Sequence, residues 1–332
     1  MIKDAAVISV VFLLTICFLS WEFHGEVSMR NMYSTVAWNS SAVWWACVFM
    51  TTLVSMCGNS PVSFVFAFSI LFVNDKVWAH AQRMLLRNFG DWYDGAAGWA
   101  CAFLAFLFFL CPYILNGCLL LVLDATAMGR RLSAPFKLQS HRHGAKIILS
   151  VAAISICKLC VLGLPYIFLL MGVTVWSRGQ YGVILDQQLP TFQHLAWLMA
   201  CHLAVFEVTF YYIHRYFHTN TYLYRTIHKK HHEFRTPFGF SALHCHPIEL
   251  IVGDLVPVTI GFLLFRPHIV FVLWWVGGVS LGTQTHHSNL RFPWIASFDK
   301  QPDYHDIHHR RGNKNYGMLG VMDFLHGTSA SS

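Results

Sequence analysis

HRYFH at 214–218, HKKHH at 228–232 and HDIHH at 305–309 place eight histidines in three short segments of this chain. The interval 214–309 holds thirteen of the twenty histidines, although it is less than a third of the length. Residues three and four apart lie on one face of an α-helix. Each segment is therefore predicted to aim two or three imidazoles at one point.

This clustering indicates a metal site. Imidazole is often neutral near pH 7 and then binds zinc, copper, iron or nickel. Eight same-face histidines are too many for one four-coordinate ion. The pattern predicts two metal ions, or one ion with spare histidines. Isolated histidines such as His80, His194, His202 and His268 are interpreted as structural.

The composition is that of a membrane protein. Hydrophobic residues make up 55% of the 332 residues and charged residues only 12%, and the mean hydropathy is +0.48. Such values are typical of membrane chains. The net charge of +7 lies in polar stretches between apolar runs, so a nucleic-acid partner is not expected. The ten cysteines are scattered and show no disulfide framework.

The apolar runs predict an all-α, multi-pass transmembrane helical bundle. The first run is interpreted as a retained anchor rather than a cleaved signal peptide. Prolines interrupt some of the later runs. The runs are 5–21, 42–73, 97–123, 147–176, 191–213, 249–265 and 268–285.

The basic residues orient this bundle. The stretches 125–146 and 213–247 and the tail from Arg291 each carry five Lys or Arg. Paired runs that leave one membrane face and return to it put all three stretches on one side, which the positive-inside rule makes cytoplasmic. The histidine groups lie on the same side and would form a histidine-rich di-metal cap. The predicted division is an anchoring region at 1–190, a histidine-box domain at 191–328 and a disordered tail at 329–332.

Four sequence blocks carry a resemblance to a known family. EVTFYYIHRYFH (207–218), IHKKHHEF (227–234), HPIE (246–249) and HDIHHRRGNKNYGMLGVMDFLHGT (305–328) resemble the fatty acid hydroxylase superfamily of membrane oxygenases, which includes the sterol desaturases. The resemblance covers about residues 195–328. It is closest to the 4-methylsterol oxidases and to the fatty acid hydroxylase domain-containing proteins.

The resemblance implies a set of metal ligands. It adds His246 in HPIE, with His244 in support. It also favours His287 over His286, because His287 lies six residues before Pro293. Arg291 stands where relatives carry histidine, aspartate or asparagine, and Glu249 and Asp306 are candidates to orient ligand imidazoles. The predicted ligands are His214, His218, His228, His231, His232, His246, His287, His305, His308 and His309.

The resemblance also implies an activity. Two irons would support O₂-dependent oxidation of a lipid C–H bond, with electrons from NAD(P)H through cytochrome b5 and its reductase, at the endoplasmic reticulum membrane. A purified sample could instead hold zinc. A 4-methylsterol is the first substrate expected, and a fatty acyl or sphingolipid hydroxylase or a sterol desaturase is the alternative.

Two other classes of protein remain open at this point. One is a catalytically inactive relative that holds structural zinc. The other is a histidine-rich zinc-binding or transport protein, which would place its ligands near the middle of membrane helices.

Overall fold

The computed structural model describes residues 60–69, 73, 75–185, 188–291 and 302–330. Within those residues the chain is helical, with two isolated β-bridges and no strand. The helices are α1 Pro61–Ser69, α2 Asp75–Phe89, α3 Ala97–Ala125, α4 Ala127–Ser133, α5 Ala145–Lys158, α6 Leu164–Trp176, α7 Phe192–Thr219, α8 Thr221–Thr226, α9 Val256–Phe265, α10 Ile269–His286, α11 Asp303–Arg311 and α12 Val321–His326.

Four helical stretches are long and apolar enough to cross a membrane, so the predicted all-α, multi-pass architecture is confirmed. They coincide closely with four of the predicted apolar runs. The stretches are Ala97–Ala125, Ala145–Trp176, Gln193–Thr219 and Pro247–Phe265.

Prolines widen two of these stretches rather than break them. α5 and α6 are joined by a π-helical turn at Leu159–Gly163, just before Pro165. A second π-helical turn at Leu250–Leu255 precedes Pro257. Proline lacks an N–H and clashes with the carbonyl four residues earlier, and a wider turn relieves both problems. Each helix therefore continues through its proline.

The apolar run 268–285 forms α10, which has a different role from the four spans. Most of its side chains are buried by protein, and it packs along α3. Buried polar contacts hold the two helices together. Asn116 Nδ2 donates to Gln284 Oε1 at 2.8 Å, and Gln284 Nε2 donates to the Tyr113 carbonyl at 2.8 Å. α10 is thus the central helix of the described bundle.

The predicted regions 1–190 and 191–328 share one core, because α3 and α10 come from different regions. At the end of the bundle away from the histidine segments, an isolated bridge joins Ile184 and His268. The proposed anchor at 5–21 and most of the run 42–73 lie outside the described residues. In the predicted tail, the Ala330 N–H donates to Asn315 Oδ1 at 2.7 Å, while residues 331–332 lie outside the described part.

Gly117 allows the close approach of α3 to its neighbours. A β-carbon at this position would overlap the Phe240 ring and lie 2.9 Å from Gln284 Nε2. We expect Gly117→Ala to lower the free energy of unfolding by about 1–3 kcal/mol, as overpacking does in other cores. A thermal scan in detergent measures this change. Gly172→Ala is the control, because its β-carbon would meet only Trp99 at 3.6 Å; equal melting points for both variants would contradict the packing.

Candidate metal centre

Four parts of the chain carry the candidate ligands to one end of the bundle. His214 and His218 lie in the last turns of α7, and His287 follows the last residue of α10. The segment His228–Glu233 forms a 3₁₀-helix rather than the expected α-helix. α11 supplies the remaining histidines, which are His305, His308 and His309.

Nine of the ten predicted ligands fall into two groups. In each group, one nitrogen from every imidazole lies within 4.8 Å of the others. The first cluster is His214, His218, His228, His232 and His308, and the second cluster is His231, His287, His305 and His309.

Each His-x-x-His-His segment divides between the clusters, contrary to the expectation of one point per segment. His228 and His232 join the first cluster, while His231 joins the second. In α11 one histidine joins the first cluster and two join the second. His308 belongs to the first cluster, and His305 and His309 belong to the second. Two adjacent histidines point in different directions from a helix, and each segment therefore spans both sites.

The ring nitrogens in both clusters are spaced like the ligands of a metal ion. In the first cluster, His228 Nε2 lies 2.7 Å from His218 Nε2, and His232 Nε2 lies 3.1 Å from the same atom. In the second, His287 Nε2 lies 3.0 Å from His305 Nε2. Nitrogens about 2.0–2.1 Å from a zinc-sized ion lie roughly 3 Å apart. Both donor sets therefore fit an ion at their centre.

Hydrogen bonds on the far side of the rings support this fit. His214 Nδ1 donates to the Tyr316 carbonyl at 2.7 Å, and His308 Nδ1 donates to the Lys314 carbonyl at 2.7 Å. His287 Nδ1 donates to the Thr283 carbonyl at 2.8 Å. A neutral imidazole has one N–H, so these rings present only lone pairs at Nε2. Lone pairs that face one another in a buried space need a cation between them.

The environment keeps these rings neutral. Burial, followed by the neighbouring imidazoles, holds the pKa of His231 and His309 well below the ordinary value. The same causes lower the pKa of His232 and His305. Metal binding requires deprotonated ligands, so both clusters are neutral and ready to bind at pH 7.

His246 lies outside both clusters. Its Nδ1 instead accepts from the Ile248 N–H at 3.2 Å, which caps the helical turn Pro247–Glu249. His244 contacts Glu233 at 2.7 Å, and His286 is buried but joins neither cluster. Of the ten predicted ligands, the structure brings together all except His246.

One of the two carboxylates expected to orient a ligand does so. Glu249 Oε1 accepts from His228 Nδ1 at 2.6 Å. Asp306 instead accepts from Gln139 Nε2 at 2.5 Å and pairs with Arg310. Gln139 Oε1 also accepts from the Thr236 hydroxyl at 2.9 Å. The loop that contains Gln139 therefore connects α11 to the segment that follows His228–Glu233, although it is distant from both in sequence. No pattern in the sequence around Gln139 indicated this contact.

An apolar cavity leads to the metal centre. Its walls include Phe106, Phe210, Phe262 and Val276. Five of the clustered histidines also line it, namely His214, His228, His231, His287 and His305. Aromatic and aliphatic walls of this kind suit the hydrocarbon part of a lipid.

Glu207 fixes one wall of the cavity. Its carboxylate accepts the backbone N–H groups of Met318 at 2.8 Å, Leu319 at 2.7 Å and Met322 at 3.0 Å. Met318 and Leu319 line the cavity. These hydrogen bonds explain why the apolar helix α7 carries an acidic residue: Glu207 holds the backbone of residues 318–322 against the cavity.

Comparisons with known proteins agree with this arrangement. Residues 199–328 match the fatty acid hydroxylase family model. Human fatty acid hydroxylase domain-containing protein 2 is 36% identical over 169 residues, which cover 51% of this chain and 48% of that protein. A putative methylsterol monooxygenase of Dictyostelium discoideum is 33% identical, covering 42% and 53% of the two chains.

A plant relative adds a different activity. The very-long-chain aldehyde decarbonylase GL1-11 of Oryza sativa is 37% identical, covering 37% of this chain and 48% of that protein. The chain spans about half the length of the curated relatives that it matches. No solved structure matches it.

The division of adjacent histidines between clusters predicts separable metal losses. In iron-replete preparations, His308→Ala should weaken metal binding at the first cluster and His309→Ala at the second. Each variant should then hold about one metal ion per chain fewer than the unchanged protein. Elemental analysis of the detergent-purified protein measures this.

His246→Ala is the matched control and should keep the full metal content, because His246 caps a helical turn outside the clusters. Loss of metal from His246→Ala, with none lost from His308→Ala and His309→Ala, would overturn the assignment.

Proposed function

We propose that this chain, whose residues 199–328 match the fatty acid hydroxylase family model, is a membrane-bound oxygenase that oxidises a C–H bond of a lipid. The main support is that two clusters of imidazoles lie at the end of an apolar cavity within a bundle of candidate membrane helices. An unactivated C–H bond resists acid–base chemistry, so a redox cofactor must supply the reactivity. Two bound irons would supply the oxidising power from O₂.

The residues of the chain have separate tasks in this proposal. The nine imidazoles would hold the ions. Hydrogen bonds at Nδ1 fix the tautomers of four of these rings, namely His214, His228, His287 and His308. The cavity would hold the hydrocarbon and exclude water. The methylsterol monooxygenases among the similar proteins favour the 4-methyl group of a sterol intermediate as the target, with a fatty acyl or sphingolipid chain as the second choice.

The position of the clusters disfavours zinc transport. A transporter places its ligands near the middle of membrane helices, along a path through them. Here His214 and His218 lie in the last turns of α7, and His287 follows the end of α10. Ligands at helix ends, below which an apolar cavity lies, suit a reaction on a lipid better than the passage of an ion.

A basic groove offers a route for electrons from outside the membrane. It is lined by Arg225, Lys229, Lys230, Arg235 and Arg311, and it reaches His232 of the first cluster and His309 of the second. Opposite charge steers protein partners together. We therefore propose that cytochrome b5, reduced by NAD(P)H through its reductase, docks here on the cytoplasmic side of the endoplasmic reticulum membrane.

The oxygenase assignment is tested by product analysis under ¹⁸O₂. The iron-loaded protein, supplied with cytochrome b5, its reductase and NADH, should convert a 4-methylsterol to its hydroxymethyl product with one ¹⁸O atom. His308→Ala should form no product, because it removes a candidate ligand. Fatty acyl and sphingoid substrates are assayed in parallel. A sample with two irons per chain that oxidises none of these lipids would contradict the proposal.

The electron route is tested by charge reversal in the groove. Lys230→Glu should lower kcat/KM for cytochrome b5 several-fold and weaken its dependence on salt, because exposed charges at an interface mainly affect association. Turnover driven by a small uncharged reductant should not change. Arg131→Glu makes the same charge change at an exposed position outside the groove and is the control. Equal slowing by both variants would argue against docking at this surface.

A further inference from the structure

We propose that Asp254, supported by Lys158, forms a polar subsite in the cavity wall that binds the hydroxyl group of a lipid alcohol. The inference rests on the proposed function in one respect, namely that the cavity holds a lipid. It adds a chemical class to that lipid and names the residue that recognises it.

The π-helical turn places Asp254 on the cavity side of its helix. In a regular α-helix of 3.6 residues per turn, a residue five positions beyond Glu249 would point about 140° away from it. The turn Leu250–Leu255 is π-helical, and its hydrogen bonds span five residues. Glu249 and Asp254 therefore share a face, and both line the cavity.

Lys158 immediately precedes the other π-helical turn, Leu159–Gly163, and is connected to Asp254 through Cys245. Its ammonium donates to the Leu243 carbonyl at 2.9 Å and to the Cys245 carbonyl at 2.5 Å. The Cys245 sulfur lies 3.7 Å from both Lys158 Nζ and Asp254 Oδ2. The Cys245 sulfur thus bridges the ammonium and the Asp254 carboxyl group, and a carboxyl oxygen can accept a hydrogen bond from a hydroxyl in either protonation state.

Asp254 retains capacity to accept further hydrogen bonds. A carboxylate offers about four lone-pair sites, and among the described residues only the Cys245 thiol donates to it. The side chain is part-exposed, although it lies within a membrane-spanning stretch. A group of this kind is costly in a membrane protein and is commonly functional. Here its open side faces the cavity.

The carboxyl groups in the cavity wall determine which class of lipid binds best. A plain hydrocarbon would desolvate Asp254 without replacing its hydrogen bonds, which is unfavourable. A fatty acid carboxylate would lie beside two further carboxyl groups that both favour hydrogen-bond donors, because Glu249 lines the same face. A hydroxyl can donate to Asp254 and avoids both penalties. The cavity therefore favours a neutral alcohol.

The position of the subsite also limits where the alcohol is oxidised. Asp254 lies about one turn beyond Glu249, and Glu249 contacts His228 of the first cluster. Five residues advance a helix by roughly 6–8 Å at about 1.5 Å per residue. The carbon that reaches the metal centre therefore lies close to the hydroxyl in the substrate, as a methyl group next to a ring alcohol would.

Binding of matched lipid pairs tests the subsite without turnover. The pairs are a 4-methylsterol with its 3-deoxy analogue, and octadecanol with octadecane, each titrated into the full-length protein by displacement of a bound fluorescent lipid. The alcohol should bind about tenfold more tightly than its partner in at least one pair, as expected for one additional hydrogen bond in a buried site.

Two variants locate the preference. Lys158→Met combined with Asp254→Leu removes both charges together, so that neither is left buried alone, and should abolish the preference. If this double variant does not fold, Asp254→Asn keeps the shape and should reduce the preference several-fold. Thr259→Val is the control, because its hydroxyl also lines the cavity but contacts Tyr166 at 2.8 Å; it should leave the preference intact.

Equal binding within both pairs, no binding by any probe, or a preference that persists without Asp254 would overturn the subsite. So would loss of the preference in Thr259→Val. Failure of the oxygenase proposal looks different, because the alcohol preference would remain while no probe is oxidised. Conversely, oxidation without an alcohol preference would leave the oxygenase intact and remove the subsite.

Discussion

The convergence of nine neutral imidazoles is the constraint on which the rest of the structure depends. Hydrogen bonds to carbonyl or carboxylate oxygens hold Nδ1 of several rings, including His214 and His228, so their Nε2 lone pairs face one another. Such an arrangement is unfavourable in a buried space unless cations lie between the rings. The fold can hold it because the rings project from helix ends that are anchored elsewhere in the bundle.

The anchoring comes from buried polar contacts in an otherwise apolar protein. Asn116 and Gln284 join α3 to α10, whose end carries His287. Glu207 accepts hydrogen bonds from the backbone that follows α11, and Gln139 donates a hydrogen bond to Asp306 within α11. Each contact joins parts of the chain that are distant in sequence, and together they place the two histidine clusters at the end of an apolar cavity.

Much of this architecture follows from the sequence. Apolar runs locate the membrane helices, and histidine spacing selects nearly all of the residues that cluster. The division of each histidine segment between two sites does not follow, because a 3₁₀-helix at His228–Glu233 and the approach of α11 determine it. The sequence also does not show that the side chains of His246 and His268 accept backbone N–H groups at the starts of helices. Lys158 stands within an apolar run and shows its contacts only when the Leu243–Cys245 backbone is in place.

Anomalous diffraction at the iron absorption edge tests the two-cluster arrangement most directly. We expect two peaks per chain, one among His214, His218, His228, His232 and His308, and one among His231, His287, His305 and His309. A single peak shared by all nine residues, or a peak at His246 with neither cluster occupied, would contradict it.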